Sequence, residues 1–322
     1  MTFRTWLAII AGMLPASLAA IVLFLALYCW PALEINGWGF VVRDTWNIGN
    51  AYADPVTIAG TQVQPGAEYG TLFLIVGTLL STLIALLLAV PVGAGAAIFL
   101  AEAVRGRLRL WVSFFVELLA AIPSVVFGLW GYVVVIPFLA HHVFPLMSDL
   151  LGFIPFFDGP TGSGYGLLTA GIVLSMMIVP LITATFRDAL VSQPPALREA
   201  ATALGATRFE TSIHVIVHGS VRVLIGASFL ALGRAMGETM AVLMVSGNGL
   251  NYLPQNIYAP ISTMAAFIAS QLDSALQDPS GMAVRSLAEI ALVLCLLSIA
   301  VNAGARLMLL FWARAGGAAQ PI

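Results

Sequence analysis

Lysine is missing altogether: all thirteen basic residues of the 322-residue chain are arginine. A phosphate-cradling P-loop needs its lysine, so this chain does not hydrolyse ATP by that route. Charge of either sign is scarce, at 9% of residues, where soluble domains carry about a quarter. There is no basic stripe, and a net charge of −2 gives no footing for nucleic acid. The two cysteines, Cys29 and Cys295, lie in separate apolar runs and read as small core residues rather than a disulfide. His141 and His142, with Asp149 and Asp158 nearby, match no metal-ligand spacing. No nucleophile–base constellation stands out either, so neither a metal site nor an enzyme is expected.

What is present is apolar residue, 60% of the chain, with a mean hydropathy of +1.00. A spanning helix needs about 20 such residues. Six stretches qualify: roughly 6–30, 71–100, 111–140, 166–186, 219–247 and 284–312. The first is too long for a signal-peptide core and reads as a retained helix. The fold expected is an all-α integral membrane protein with six transmembrane helices. Arginines give the orientation. One set of flanks holds Arg4, Arg105, Arg107, Arg109, Arg187, Arg198, Arg208, Arg222, Arg306 and Arg314; the other holds Arg43 and Arg285. That asymmetry places both termini in the cytoplasm. Of the outward segments, 31–70 is turn-rich, 141–165 reads as a surface loop and 248–283 as a short amphipathic hairpin. Pro91, Pro123, Pro137 and Pro180 fall inside the runs, where each is read as a passive bend.

The stretch Pro195–His218 cannot sit in lipid, because it carries Arg198, Glu199, Arg208 and Glu210. It reads as two short helices with a sharp corner. Pro195 suits a first helical position, Ala196 to Leu204 are strong helix formers, and Gly205 is placed to close that helix in a left-handed cap. Thr207 then opens a second helix, with Glu210 three residues on to complete a capping box.

The fifth run contains GASFLALGRAMGETMAVLMV, with Arg234 and Glu238 near its middle. Four residues apart, they share one face of a continuous helix. A central arginine facing lipid costs about 3 kcal/mol on insertion scales, so both charges must face protein or water. Gly233 and Gly237 beside them form a small-xxx-small pair, which lets another backbone approach closely. The pair is either a structural tie between helices or an anion station, in which the guanidinium fork meets oxyanion oxygens and Glu238 holds it when no anion is bound. Glu289 has Arg285 one turn away as its expected partner, and Glu117 can snorkel toward Arg109.

Glu199-Ala200-Ala201 followed by Gly205 resembles the EAA coupling loop of permease subunits of ABC importers. The usual Ile-x-Leu-Pro ending is replaced by Val215-Ile216-Val217-His218, so the proline exit is missing. Tyr69–Glu102, Glu117–Pro137 and Leu232–Asn248 together look like the PstC-type permease of phosphate-specific importers, over residues 69 to about 250. The resemblance implies the type I ABC importer permease fold with a cytoplasmic coupling helix. It implies an N-terminal transmembrane helix and outward loop over 1–68 and a permease transmembrane domain over 69–322, with its coupling loop at 195–218. It places Arg234 and Glu238 on charged positions of the phosphate path, which favours the anion station. Glu199, Ala200, Ala201 and Gly205 become the contact to an ATPase, with Ala200 and Ala201 letting the helix seat deeply. The implied partners are a homologous second permease (PstA-type), two ATPases (PstB-type) and a phosphate-binding protein (PstS-type) in a bacterial inner or plasma membrane. ATP and magnesium would belong to the partner subunits, with no cofactor on this chain. A permease for another oxyanion, molybdate or sulfate, shares the loop; an ATPase-independent secondary transporter does not need it.

Overall fold

In lipid a backbone can satisfy its N–H and C=O groups only within its own segment, which turns each long apolar run into a helix. The computed structural model describes residues 3–50, 52–58 and 60–317. It opens with α1 (Phe3–Tyr28), then the short helices α2 (Trp30–Asn36) and α3 (Gly39–Val42). Two small antiparallel ribbons follow, β1 (Trp46–Asn47) paired with β4 (Glu68–Tyr69) around β2 (Val56–Ile58) paired with β3 (Thr61–Val63). The remaining elements are all helical: α4 (Leu72–Ala103), α5 (Gly106–Ala121), α6 (Ser124–Leu151), α7 (Leu167–Val191), α8 (Pro195–Ala203), α9 (Arg208–Met236), α10 (Met240–Val245), α11 (Met264–Leu276) and α12 (Met282–Gly317). Among the described residues α1, α4, α6, α7, α9 and α12 are long and apolar enough to cross a membrane, matching the six runs expected.

Two of those runs are divided where hydropathy alone does not show it. Residues 111–140 are not one span. Pro123 has no N–H to donate and forces Ile122 into an extended conformation (ψ 132°), so α5 ends and α6 starts afresh. The span then runs on to Leu151, through His141 and His142, so the loop expected from 141 begins only after α6. Residues 219–247 divide at Gly237-Glu238-Thr239, with α9 before the break and α10 after it. Pro91 and Pro180, by contrast, sit inside continuous helices. The segment 248–283 is no hairpin: its first half folds back so that Ile261 N–H donates to Ser246 O at 2.9 Å, and its second half is the single helix α11. Asp278 then accepts from Ala283 N–H at 2.9 Å at the head of α12.

Helices in lipid gain little from excluding water, so they are held by close packing. α4 and α7 form the central pair. A Cβ at Gly93 would lie 3.0 Å from Ile182 Cγ2, so glycine is what lets these helices close. Around them α6, α9 and α10 build the main core, with Ala85, Val173, Leu174, Ile178, Ala231 and Val242 all buried. A second core joins the ribbons to α11 and α12, where Trp46 meets Phe267 edge-on at 5.1 Å. A third, of Ala97, Phe186, Leu190 and Ile216, ties the ends of α4 and α7 to the lower part of α9.

Candidate functional site

The polar corner between α7 and α9 folds as its residues dictate. Pro195 occupies the first turn of α8, and Leu204 ends it. Gly205 takes φ +88°, its N–H donates to Thr202 O at 3.0 Å, and Ala206 N–H donates to Ala201 O at 3.1 Å. Those two bonds satisfy the orphan carbonyls in the Schellman pattern. Thr207 starts the next arm: its Oγ1 accepts from Glu210 N–H at 3.3 Å, while Glu210 Oε2 accepts from Thr207 N–H at 2.8 Å. Both caps were legible in the sequence. The second arm is not short, however. Without a proline at His218 nothing halts the helix, which passes through a wide π turn over Thr211–Val217 and continues to Met236. Elbow and fifth span are one rod.

Within α8 the expected contact residues divide. Glu199, Ala200 and Gly205 are exposed, whereas Ala201 is buried against the chain's own core, so of the two alanines only Ala200 is free to seat against another surface. Leu197, Leu204 (90% exposed) and Phe209 extend the outward apolar face. The elbow is fastened from behind. Arg198 Nη1 donates to both oxygens of Glu102, at 2.7 and 2.6 Å, Ser212 Oγ donates to the same carboxylate at 2.9 Å, and Gln193 Nε2 donates to Ser220 Oγ at 2.9 Å. The pair Glu102–Arg198 joins the last turn of α4 to α8.

At the break between α9 and α10 the picture changes from what four-residue spacing suggests. Arg234 lies in the last turn of α9, and Glu238 lies beyond its end, in the break. Glu238 N–H closes a tight turn onto Ala235 O at 3.2 Å, and its carboxylate accepts from Ala241 N–H at 3.4 Å, at the start of α10. The two charges therefore do not share a helix face, and no ion pair forms between them. Arg234 is exposed on the surface of the chain, while Ala231, Ala235 and Met236 on the other side of the rod are buried. Val245 O accepts from Gly166 N–H, beside the start of α7, which marks the far end of the bundle. Arg234 lies between that end and the elbow, in the last turn of the candidate span Arg208–Met236. Gly233 faces Asn302 of α12, where a Cβ would meet the amide nitrogen at 3.2 Å, and Gly237 caps α9 in the open.

Three pairings escaped the sequence. Glu289 does not meet Arg285; it accepts from Asn36 Nδ2 at 2.8 Å and is buried. Glu117 meets not Arg109 but Arg187 of α7, accepting from its Nη2 at 2.9 Å, and the same Nη2 donates to Asp188 at 2.7 Å. Glu102, the anchor of the elbow, sat unremarked at the end of an apolar run. Each has its charge or amide in the sequence, but the partner lies far along the chain.

The model for binding-protein-dependent transport system inner membrane components matches residues 89–308. The phosphate transport system permease protein PstC 1 of Mycobacterium tuberculosis is 45% identical over 278 residues, covering 85% of this chain and 82% of that protein. PstC of Haemophilus influenzae is 36% identical over 311 residues, covering 95% and 92%. Among solved structures, the inward-facing MetNI methionine ABC transporter aligns with a TM-score of 0.52 at 17% identity, over 74% of this chain and 96% of that one. At that identity the likeness is one of fold.

Proposed function

The chain belongs to the binding-protein-dependent transport system inner membrane components, and from that premise we propose that it is the transmembrane permease subunit of an ATP-driven inorganic phosphate importer. It is a multi-pass membrane protein that works with other ABC transporter subunits. The observation that carries the substrate is the 45% identity, along 85% of the chain, to a permease named for phosphate transport. The arginine asymmetry supports an elbow and both termini on the cytoplasmic side. The partners are a PstA-type second permease, two PstB-type ATPases that hold ATP and magnesium, and a PstS-type binding protein; this chain itself binds no cofactor. Its permease domain begins near residue 69, after an N-terminal helix and outward loop.

An ATPase is needed because each negative charge moved inward against a negative interior costs about 2.3 kcal/mol per 100 mV. The fold supports one route by which its force arrives. A partner pressing on Ala200, Leu204 and Phe209 pushes α8; Arg198 carries the push to Glu102 and α4, and Thr207–Glu210 carries it into α9. Because α9 is unbroken from the elbow to Met236, displacement at its base moves Arg234, exposed in its last turn. A guanidinium with no ion-pair partner among the described residues offers a planar fork to a tetrahedral oxyanion. Glu238, fixed to the head of α10 rather than to Arg234, stays behind when the rod moves, so the spacing between the two charges becomes a function of the elbow's position.

Uptake of labelled phosphate by the reconstituted transporter tests the assignment. Unlabelled phosphate should abolish the signal while molybdate and sulfate leave it; competition by either of those at equal concentration transfers the chain to another oxyanion. Uptake without any ATPase subunit would make it a secondary transporter instead.

A further inference from the structure

At the elbow end a cleft of about 620 Å³ opens between the last turn of α4, the start of α5 and the two arms of the elbow. Its walls carry Arg105, Arg109, Arg198 and Arg208 against only Glu102 and Glu199. Glu102 is committed, since both of its oxygens accept from Arg198. Among the described residues Arg105, Arg109 and Arg208 make no ion pair. Three uncommitted guanidinium groups, brought from two stretches of chain, thus share one cleft with a single uncommitted carboxylate, Glu199. Such a site draws an anion, and the guanidinium fork suits a phosphate group.

The surroundings say which kind. Ala101 and Val191 in the cleft wall belong to the final turns of two spans, so the cleft lies at headgroup depth. α5 sets out from the cleft with none of its residues buried, and it exposes Leu108, Leu110, Trp111, Phe114 and Phe115 directly after the arginines. Tryptophan at that depth is the ordinary interfacial anchor. A ligand that uses both features is amphiphilic, with its phosphate on the guanidinium groups and its acyl chains along α5. We propose that this cleft binds the headgroup of an anionic phospholipid. The proposal rests on the cytoplasmic placement of the elbow given above, where anionic lipid supplies an attractive surface potential. Inorganic phosphate would use the same fork but leave the apolar face of α5 unused. The bound lipid joins the Arg105–Arg109 stretch to Arg208 on the base of α9, so membrane composition sets how stiffly the elbow is held.

The assembled transporter, stripped of lipid stepwise and read by native mass spectrometry, tests this. The parent should keep phosphatidylglycerol after phosphatidylcholine has gone. Arg105→Gln/Arg109→Gln/Arg208→Gln should keep the two lipids equally, and the same three positions changed to Lys should recover the preference in part. Equal retention of both lipids by the parent overturns the proposal without any variant being needed. So does an unchanged preference in the glutamine variant, or displacement of the lipid by millimolar inorganic phosphate, which marks a free-phosphate site. Loss of the ATPase subunit from the glutamine variant with lipid preference intact overturns it too, assigning these arginines to a protein contact. Phosphate uptake is assayed separately, so a failure of the transport assignment reads differently from a failure of the lipid site.

Discussion

Arg198 and Glu102 are joined by two charge-assisted hydrogen bonds, at 2.7 and 2.6 Å, between the elbow and the end of the second span. Arg198 is only a third exposed and Glu102 less, at 34% and 16%, so the pair is partly withdrawn from water and stronger than a surface bridge. Glu102→Gln keeps one acceptor and loses the charge. It should cost about 1–3 kcal/mol locally and lower the coupling of ATP hydrolysis to uptake, seen as fewer phosphates moved per ATP. Arg198→Lys should lower the ratio too, because a single ammonium cannot hold both Glu102 and Leu190 O as the two guanidinium nitrogens do. An unchanged ratio in both variants removes this pair from the coupling route.

Ala200 and Ala201 are adjacent in α8, yet Ala200 is exposed and Ala201 buried. Ala200→Asp places bulk and charge on the outward face, so the permease should melt normally while the ATPase subunit no longer co-purifies. Ala201→Asp buries a carboxylate in the chain's own core, so the permease itself should melt several degrees lower. Identical behaviour of the two variants contradicts the division.

Gly205 holds φ +88° in open space, with nothing within 4 Å of where a Cβ would sit. Gly205→Ala therefore meets only backbone strain, about 1–2 kcal/mol, and Thr207→Ala loses a cap worth about 1 kcal/mol. Both should lower thermal stability modestly, and together they should add, since one closes α8 and the other opens α9. A loss larger than about 4 kcal/mol in either is inconsistent with these caps acting locally.

The sequence reveals what depends on short range. Both elbow caps are readable because Gly205, Thr207 and Glu210 act within a few residues of themselves. The six apolar runs are readable because length decides them. The break at Pro123 is invisible to hydropathy, since Ile122 and Pro123 are apolar while their backbones turn away. The long-range polar pairings are least legible of all. Glu117 finds Arg187 at 70 residues' separation, Arg198 finds Glu102 at 96 and Asn36 finds Glu289 at 253, and a nearby arginine is the wrong guess for two of the three.

Glu289 shows what such a long-range partner contributes. Its carboxyl is buried in α12 with Asn36 Nδ2 as its donor at 2.8 Å. Asn36→Leu removes that donor and should destabilise the protein by about 1–3 kcal/mol. Glu289→Gln, which keeps an acceptor oxygen for the same amide, should be close to neutral. Thermal unfolding of the purified permease distinguishes them, and equal losses would mean the hydrogen bond is not what Asn36 provides.

The central claim is that Arg234, moved by the elbow through one continuous helix, meets the transported anion. Phosphate uptake by Arg234→Ala in the fully assembled, reconstituted transporter is the direct measurement. Loss of a charge-assisted contact of about 1.5–3 kcal/mol predicts uptake reduced roughly 10- to 100-fold, with all subunits still assembled and the ATPase still active. Uptake at the parent rate in that same intact complex would contradict it.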